Sequence, residues 1–285
     1  MATSIRPADR FVVGPLAWLA LLACALAGTA CEDAKNPLGY TEDAKRSYDR
    51  AMDEYNSHNY VTAQNLFREI KRKYSYSKYA RLAELRIADA DFLQEKFSDA
   101  IHEYKEFVHA HRSDAEDVAY ARARVAEATY GEIPETAIIG SPEERDQGGV
   151  VDAYKELTTY LADYPDAKES PHVRDLVSLV ISRLVRHELY VARFYLSRQN
   201  FEAAVARVQY ALRNYGVALV SKPGTVTVAT DLAAEALLLL GETYLKMHKW
   251  SEARQAFQSI VQDYAQSALV VQARDYLRYL AEKGA

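Results

Sequence analysis

The chain has 285 residues, of which 49% are apolar and 26% charged, so it can bury a core and does not have the composition of a disordered protein. Glycine (11) and proline (8) are scarce while tyrosine (21) is abundant, which favours helices over a turn-rich all-β domain. The net charge of −5 gives no reason to expect a nucleic-acid partner, because phosphates require clustered Lys and Arg.

The first 30 residues are predicted to be a secretory signal peptide. Arg6 and Arg10 form a short basic region, and the apolar stretch "FVVGPLAWLALLACALAG" follows them. No later apolar run is long enough to cross a bilayer. We therefore expect an exported chain that does not span the membrane.

A cysteine at the end of this segment predicts a lipid anchor. Cys31 follows the small residues "AGTA" and precedes the polar "EDAKNP", so we expect a lipid on Cys31 and a lipid-anchored linker over residues 31–40. Gly28 stands where a bacterial lipobox usually has leucine. Cys24 does follow "LLA", but a lipid there would leave the apolar "ALAGTA" at the mature start. Ordinary cleavage after Ala30 is a third alternative.

A pattern of four residues occurs five times along the remaining chain. An aromatic or branched residue is followed at offsets of three, seven and fourteen by alanine, a large apolar residue, and tyrosine or histidine. Positions three and four apart share one face of a helix, and the alanine admits a close neighbouring helix. The five sets are Tyr60, Ala63, Phe67 and Tyr74; Phe97, Ala100, Tyr104 and His111; Val150, Ala153, Leu157 and Tyr164; Phe201, Ala204, Val208 and Tyr215; Trp250, Ala253, Phe257 and Tyr264.

The pattern resembles tetratricopeptide (TPR) repeats. Small residues stand twelve positions before four of the alanines, at Ala51, Ala88, Ala192 and Gly241, where a preceding helix would cross. We therefore predict an all-α fold, a five-repeat TPR-like solenoid behind a lipoprotein signal peptide. Units 1 and 2 fall in residues 41–112, and units 3 to 5 fall in residues 113–285.

The alanines are spaced more widely than the 34 residues of a standard TPR, so the units must contain insertions. A loop over residues 131–149 is predicted to separate the two helices of unit 3. The first helix of unit 4 is predicted to run from about His172 to Gln199, about 40 Å. Residues 216–230 are predicted to form an ordered loop before unit 5.

Three stretches resemble the BamD family of outer-membrane lipoproteins. They are "RHELYVARFYLSRQNFEAAVARVQYALRNY", the "ERDQ" of residues 144–147, and "YSYSKYA", which has Ser75 where the family has proline. The resemblance covers roughly residues 40–280. It implies a non-enzymatic scaffold on the periplasmic face of the outer membrane. The alternative is a generic periplasmic TPR lipoprotein that organises a peptidoglycan or other envelope complex.

The resemblance implies one role for each part of the chain. Its N-terminal repeats would receive the C-terminal targeting segments of unfolded outer-membrane proteins. Its C-terminal repeats would dock on the last POTRA domain of a BamA-like barrel protein. Seven of the 21 tyrosines lie between Tyr40 and Tyr79, and four of them are candidates for lining the substrate groove, with packing as the alternative: Tyr48, Tyr55, Tyr76 and Tyr79.

Two arginines are the candidates for partner docking. Arg193 and Arg207 could each bind a partner's carboxylate through two hydrogen bonds. The alternative is an intramolecular ion pair with Glu188 or Glu202, which we expect for Arg193 more than for Arg207.

The sequence argues against an enzyme. His187 and Glu188 are half of an H-E-x-x-H zinc site, but Val191 occupies the position of the second histidine and cannot bind a metal. There is no G-x-S-x-G, P-loop or C-x-x-C motif. We expect no cofactor and no metal ion.

Overall fold

The computed structural model of the chain describes residues 37–113, 115–134, 141–219 and 228–284. Within these ranges the chain forms eleven α-helices and no strand. The helices are α1 Pro37–Asn56, α2 Tyr60–Lys73, α3 Lys78–Leu93, α4 Phe97–Ala110, α5 Ala115–Gly131, α6 Gly148–Asp163, α7 Ser170–Ser197, α8 Phe201–Leu219, α9 Val228–Lys246, α10 Trp250–Asp263 and α11 Val270–Glu282.

The first ten helices pair into five hairpins, and α11 follows the fifth, as a repeat solenoid requires. The repeat pattern marks the second helix of each hairpin. Tyr60, Phe97, Phe201 and Trp250 are the first residues of α2, α4, α8 and α10. All five alanines and all five large apolar residues of the pattern are fully buried. The predicted all-α, TPR-like fold is confirmed.

The last position of the pattern ends most of these helices. Tyr74, His111, Tyr164 and Tyr264 are each the residue immediately after a second helix, and their backbone N–H groups donate to the carbonyl four residues earlier. In unit 4 the helix instead continues past Tyr215 to Leu219.

Four hairpins turn on one residue in the left-handed conformation. His58, Glu95, Gln199 and His248 have φ between 58° and 63°, and each lies five residues before the repeat alanine. A single residue at positive φ reverses the chain between two packed helices at a modest cost in backbone strain. The third hairpin has the insertion at this point.

Two of the three predicted insertions are confirmed, and the third is partly wrong. α5 ends at Gly131 and α6 begins at Gly148, so residues 132–147 separate the helices of unit 3. α7 has 28 residues, about 42 Å, and both of its ends lie within two residues of the prediction. Residues 216–219 and 228–230, predicted as loop, belong to α8 and α9. The stretch "GVALVSKPGTVTVAT", residues 216–230, has a strand-like alternation of apolar residues, but such a preference is weak and helix packing overrides it.

The first helices of successive units line one face of the solenoid. α1 contacts α3, α5 contacts α7, and α7 contacts α9, in addition to the contacts within each hairpin. Repeat solenoids built from such helix pairs are curved, and their concave surfaces are their usual binding surfaces.

Candidate functional site

Three of the four predicted groove tyrosines meet where α1, α2 and α3 pack together. The ring centroid of Tyr48 lies 5.6 Å from that of Tyr79 and 5.6 Å from that of Phe67. Tyr55 lies 6.4 Å from Phe67 and 5.6 Å from Tyr60. The seven-residue spacing places Tyr48 and Tyr55 on one face of α1, as predicted. These tyrosines form an aromatic cluster around the buried Phe67, defined here as Tyr48, Tyr55, Tyr79 and Phe67.

The tyrosines of the aromatic cluster are half-buried, so each ring both packs and remains accessible. The buried Ala44 and Ala51 on α1 leave the space that admits the rings. Burial raises the pKa of Tyr48, and it raises the pKa of Tyr55 to about 12. Their hydroxyl groups are therefore neutral hydrogen-bond donors at physiological pH.

Tyr76, the fourth predicted groove residue, stands apart from this cluster. It lies in the turn between α2 and α3, and its side chain is 97% exposed. Among the described residues its ring packs against no other aromatic ring. The structure therefore does not bring Tyr76 together with the other three.

A buried ionic network that was not predicted from the sequence adjoins the aromatic cluster. The carboxylate of Asp89 on α3 is 1% exposed and accepts hydrogen bonds from the hydroxyl groups of Tyr104 and Tyr120, the latter at 2.8 Å. Arg86 pairs with the same carboxylate, and the Nε of Arg124 lies 3.9 Å from it. A buried carboxylate needs such partners because desolvation disfavours its charge.

This network ties units 2 and 3 together beside the aromatic cluster. Arg124 on α5 also pairs with Glu127, and its guanidinium lies 3.9 Å above the ring of Phe92 on α3. Burial raises the pKa of Tyr104 well above its ordinary value, and the charge of Asp89 raises it further. The only sequence signal was a set of charged residues inside the alanine-rich stretches "IADADF" and "ARARVAEA".

Both predicted docking arginines form ion pairs within the chain. Arg207 on α8 pairs with the largely buried Glu188 on α7 at 3.3 Å, and Arg193 on α7 pairs with Glu235 on α9. The pair with Glu188, which was expected for Arg193 more than for Arg207, is thus made by Arg207, and Arg193 pairs with a residue that was not considered. Arg193 remains half exposed beside Phe194, whose side chain is also half exposed.

The insertion of unit 3 packs on α7 at the histidine of the incomplete zinc motif. The ring Nδ1 of His187 lies 2.7 Å from the carbonyl oxygen of Glu143, and the hydroxyl of Tyr190 donates to Glu144 at 3.0 Å. The "HELY" stretch therefore positions the insertion on one side and binds Arg207 on the other. In the part of the chain that the structure describes, no three His, Cys, Asp or Glu residues are placed to hold a metal ion.

Cys31 and Cys24, the two candidate lipid sites, lie outside the described residues. Of the helices that the structure describes, none is both long and apolar enough to cross a membrane.

These features define a helical-repeat protein, and comparison with known proteins places it in a family. Residues 41–222 match the profile of the YfiO family, described as outer membrane lipoprotein. This match covers more than half of the chain, so the chain belongs to that family. The resemblance to BamD read from its residues is confirmed.

Several relatives have the name "Outer membrane protein assembly factor BamD". The protein from Neisseria gonorrhoeae is 26% identical over 201 residues, which cover 69% of this chain and 74% of that protein. The protein from Caulobacter vibrioides is 25% identical over 235 residues, which cover 82% of this chain and 70% of that protein.

Among solved structures, a TPR protein from Thermus thermophilus shares 16% identity and covers 82% of this chain and 98% of its own. Its TM-score is 0.35, and the fold assignment rests on the helix pairs described above.

Proposed function

We propose that this protein is a non-enzymatic scaffold of the outer-membrane β-barrel assembly machinery. A lipid on Cys31 anchors it at the periplasmic face of the outer membrane. Membership of the lipoprotein family and the assembly-factor names of its relatives support this role. The observation that carries the proposal in the structure is the aromatic cluster of half-buried tyrosines where α1, α2 and α3 pack together.

In this role the aromatic cluster receives the C-terminal segments of unfolded outer-membrane proteins. Such segments are extended and rich in aromatic residues, and a receptor for them needs aromatic walls with a few polar anchors. Tyr48, Tyr55 and Tyr79 supply half-exposed rings, and the hydroxyl groups of Tyr48 and Tyr55 stay protonated to donate hydrogen bonds. Tyr76 is left out because its ring does not join the others.

The second binding surface is on unit 4 and engages a BamA-like barrel protein through its last POTRA domain. Arg193 and Phe194 place a guanidinium beside an apolar ring on the exposed side of α7, a combination that is enriched at protein interfaces. Arg207 contributes its half-exposed guanidinium on α8. A partner carboxylate could bind either arginine in exchange for its intramolecular pair.

The groove is tested with a labelled peptide that has the C-terminal sequence of a β-barrel protein. We expect Tyr48→Ala and Tyr79→Ala each to weaken binding about tenfold, since one aromatic pair contributes about 0.5–1.5 kcal/mol beyond its area. Tyr276→Ala in unit 5 is the control, because this tyrosine is also half-buried and stacks on a core phenylalanine, Phe257, at 4.6 Å. Equal losses in all three variants would assign the effect to stability and contradict a groove.

The docking surface is tested by pull-down from detergent-solubilised envelopes. Arg193→Gln should reduce recovery of the BamA-like protein, whereas Glu235→Gln should retain or increase it, because it frees Arg193 from its intramolecular partner. If both variants reduce recovery alike, the ion pair has only a structural role. Recovery of cell-wall proteins without any barrel protein would replace the proposal with a generic envelope scaffold.

A further inference from the structure

The turn between units 1 and 2 concentrates positive charge in a chain whose net charge is −5. Residues 68–81 contain six basic residues against one acidic residue, Glu69. The side chain at the tip of the turn is Tyr76, which is 97% exposed. The basic residues are Arg68, Lys71, Arg72, Lys73, Lys78 and Arg81.

The backbone hydrogen bonds of this turn recur in another unit of the repeat, but its basic and aromatic side chains do not. The turns that follow Tyr74 and Tyr264 each close with the same two backbone hydrogen bonds, at 2.8 and 2.9 Å in unit 1 and at 3.1 and 2.9 Å in unit 5. Gln266 in unit 5 takes the position of Tyr76, and Asp263 takes the position of Lys73. The basic and aromatic character is thus a property of the first turn and is not required by the fold.

Much of the positive charge at this turn has no carboxylate partner. Arg72 is exposed and forms no ion pair with any described residue, and the ammonium groups of Lys73 and Lys78 lie over the rings of Tyr74 and Tyr79 at 5.2 and 5.3 Å. Lys71, 3.4 Å from Glu84, and Arg81, 3.1 Å from Asp117, are partly neutralised. The turn therefore presents a positive surface with an exposed aromatic ring at its centre.

The turn also lies at the end of the solenoid from which the N-terminal segment departs. The ring of Tyr40, in the first turn of α1, lies 5.3 Å from that of Tyr74. Cys31 precedes the first residue of α1, Pro37, by six residues, which span at most about 20 Å. A lipid on Cys31 would therefore hold this turn within reach of the bilayer surface.

We infer that residues 71–78 form a membrane-contacting surface that binds anionic phospholipid headgroups. Basic side chains close to an anchored segment are attracted to anionic headgroups, and tyrosine favours the boundary between headgroups and acyl chains. A single acyl signal gives weak membrane binding, so a basic surface beside the anchor strengthens it. This surface rests on the Cys31 anchor of the proposed function, and it gives Tyr76 a role outside the client groove.

Lysine acylation of the full chain tests this surface. The protein is reconstituted in phosphatidylcholine vesicles with or without phosphatidylglycerol, and the labelling of each lysine is measured by mass spectrometry. We expect several-fold protection of Lys71, Lys73 and Lys78 only when phosphatidylglycerol is present. The exposed Lys246 and Lys249 in unit 5 serve as internal references and should label equally in both. Equal labelling of the turn in the two kinds of vesicle would overturn the inference.

Charge-matched variants show whether the protection depends on this turn. Arg72→Glu should abolish the protection of Lys71 and Lys78, and Lys249→Glu, the same charge change in unit 5, should preserve it. Retention in Arg72→Glu would mean that phosphatidylglycerol protects these lysines without the positive charge of the turn and would overturn the inference.

Two further arms separate this inference from the proposed function. The mass of the N-terminal peptide reports whether Cys31 is acylated. If it is not, the proposed anchor fails, while protection by added phosphatidylglycerol vesicles still supports the lipid surface. Protection of the turn by a β-barrel C-terminal peptide in the absence of vesicles would instead assign residues 71–78 to the client.

Discussion

The guanidinium of Arg207 lies 3.3 Å from the carboxylate of Glu188, and this pair joins the two helices of unit 4. The arginine side chain is 44% exposed, whereas the glutamate side chain is 10% exposed. Because the less accessible partner is the carboxylate, removing the arginine leaves a largely buried charge without its cation. Any loss of partner binding in an Arg207 variant must therefore be separated from a loss of stability.

Arg207→Ala should lower the free energy of unfolding by about 1–2 kcal/mol. This value already allows for solvent screening of the pair, because the arginine is partly exposed. Arg193→Ala, which breaks the more exposed pair with Glu235, should cost less than about 1 kcal/mol. Urea unfolding measures both. Adding Glu188→Gln to Arg207→Ala should recover part of the loss, and a double variant as unstable as the sum of the single changes would contradict this ion pair.

Replacing Asp89 should be among the most destabilising changes in units 1 to 3. Asp89→Ala removes the acceptor for Tyr104 and Tyr120 and leaves the guanidinium of Arg124 facing a cavity, so we expect a loss of about 2–4 kcal/mol. Chemical denaturation measures the loss. Asp53→Ala, an exposed change on α1, should stay within about 0.5 kcal/mol. Similar values for both would show that the network contributes little.

Gly241 should not tolerate even a methyl group. A Cβ at this position would lie 2.5 Å from the ring of Phe257, so Gly241→Ala should destabilise the protein by about 1–3 kcal/mol despite the gain in helix propensity of about 1 kcal/mol. Thermal unfolding measures the change. Gly39→Ala on α1 meets open space and should be neutral or slightly stabilising. A stable Gly241→Ala variant would mean that the two helices can move apart freely.

The burial of Tyr55 predicts a loss of stability at alkaline pH. Its pKa in the folded protein is raised to about 12, above the ordinary tyrosine value of about 10, so the folded state holds the proton more tightly than the unfolded chain. This contribution is complete below pH about 10 and is lost as the pH rises towards 12. In the Tyr55→Phe variant, the free energy of unfolding, measured by urea titration at each pH, should fall less steeply between pH about 10 and 12 than in the wild type. The same pH dependence in both proteins would contradict the raised pKa.

The repeat pattern was enough to predict most of the fold. The positions of Phe97, Phe201 and Trp250 as first residues of helices, and the length of α7, follow from local spacing, since helix starts, helix faces and close crossings depend on residues a few positions apart. The prediction of a loop over residues 216–230 was partly wrong, because a short alternating stretch does not reveal whether a packed helix extends into it.

The candidate sites were only partly predictable. The spacing on α1 indicated that Tyr48 and Tyr55 share a face. The contact between the rings of Tyr48 and Tyr79, which lie on different helices, could be identified only in the structure. The partner of Arg193 is Glu235, 42 residues away, which no local pattern relates to it.

The amino-acid sequence by itself determined the helical repeats, the small residues at their crossings and the resemblance to BamD, because each is carried by residues within one or two helical turns. The tertiary structure alone decided which charges are buried together at Asp89, which carboxylate Arg207 binds, and that Tyr76 is exposed while Tyr79 is half-buried. Those outcomes depend on how successive hairpins stack, since burial and ion pairing join residues from different units.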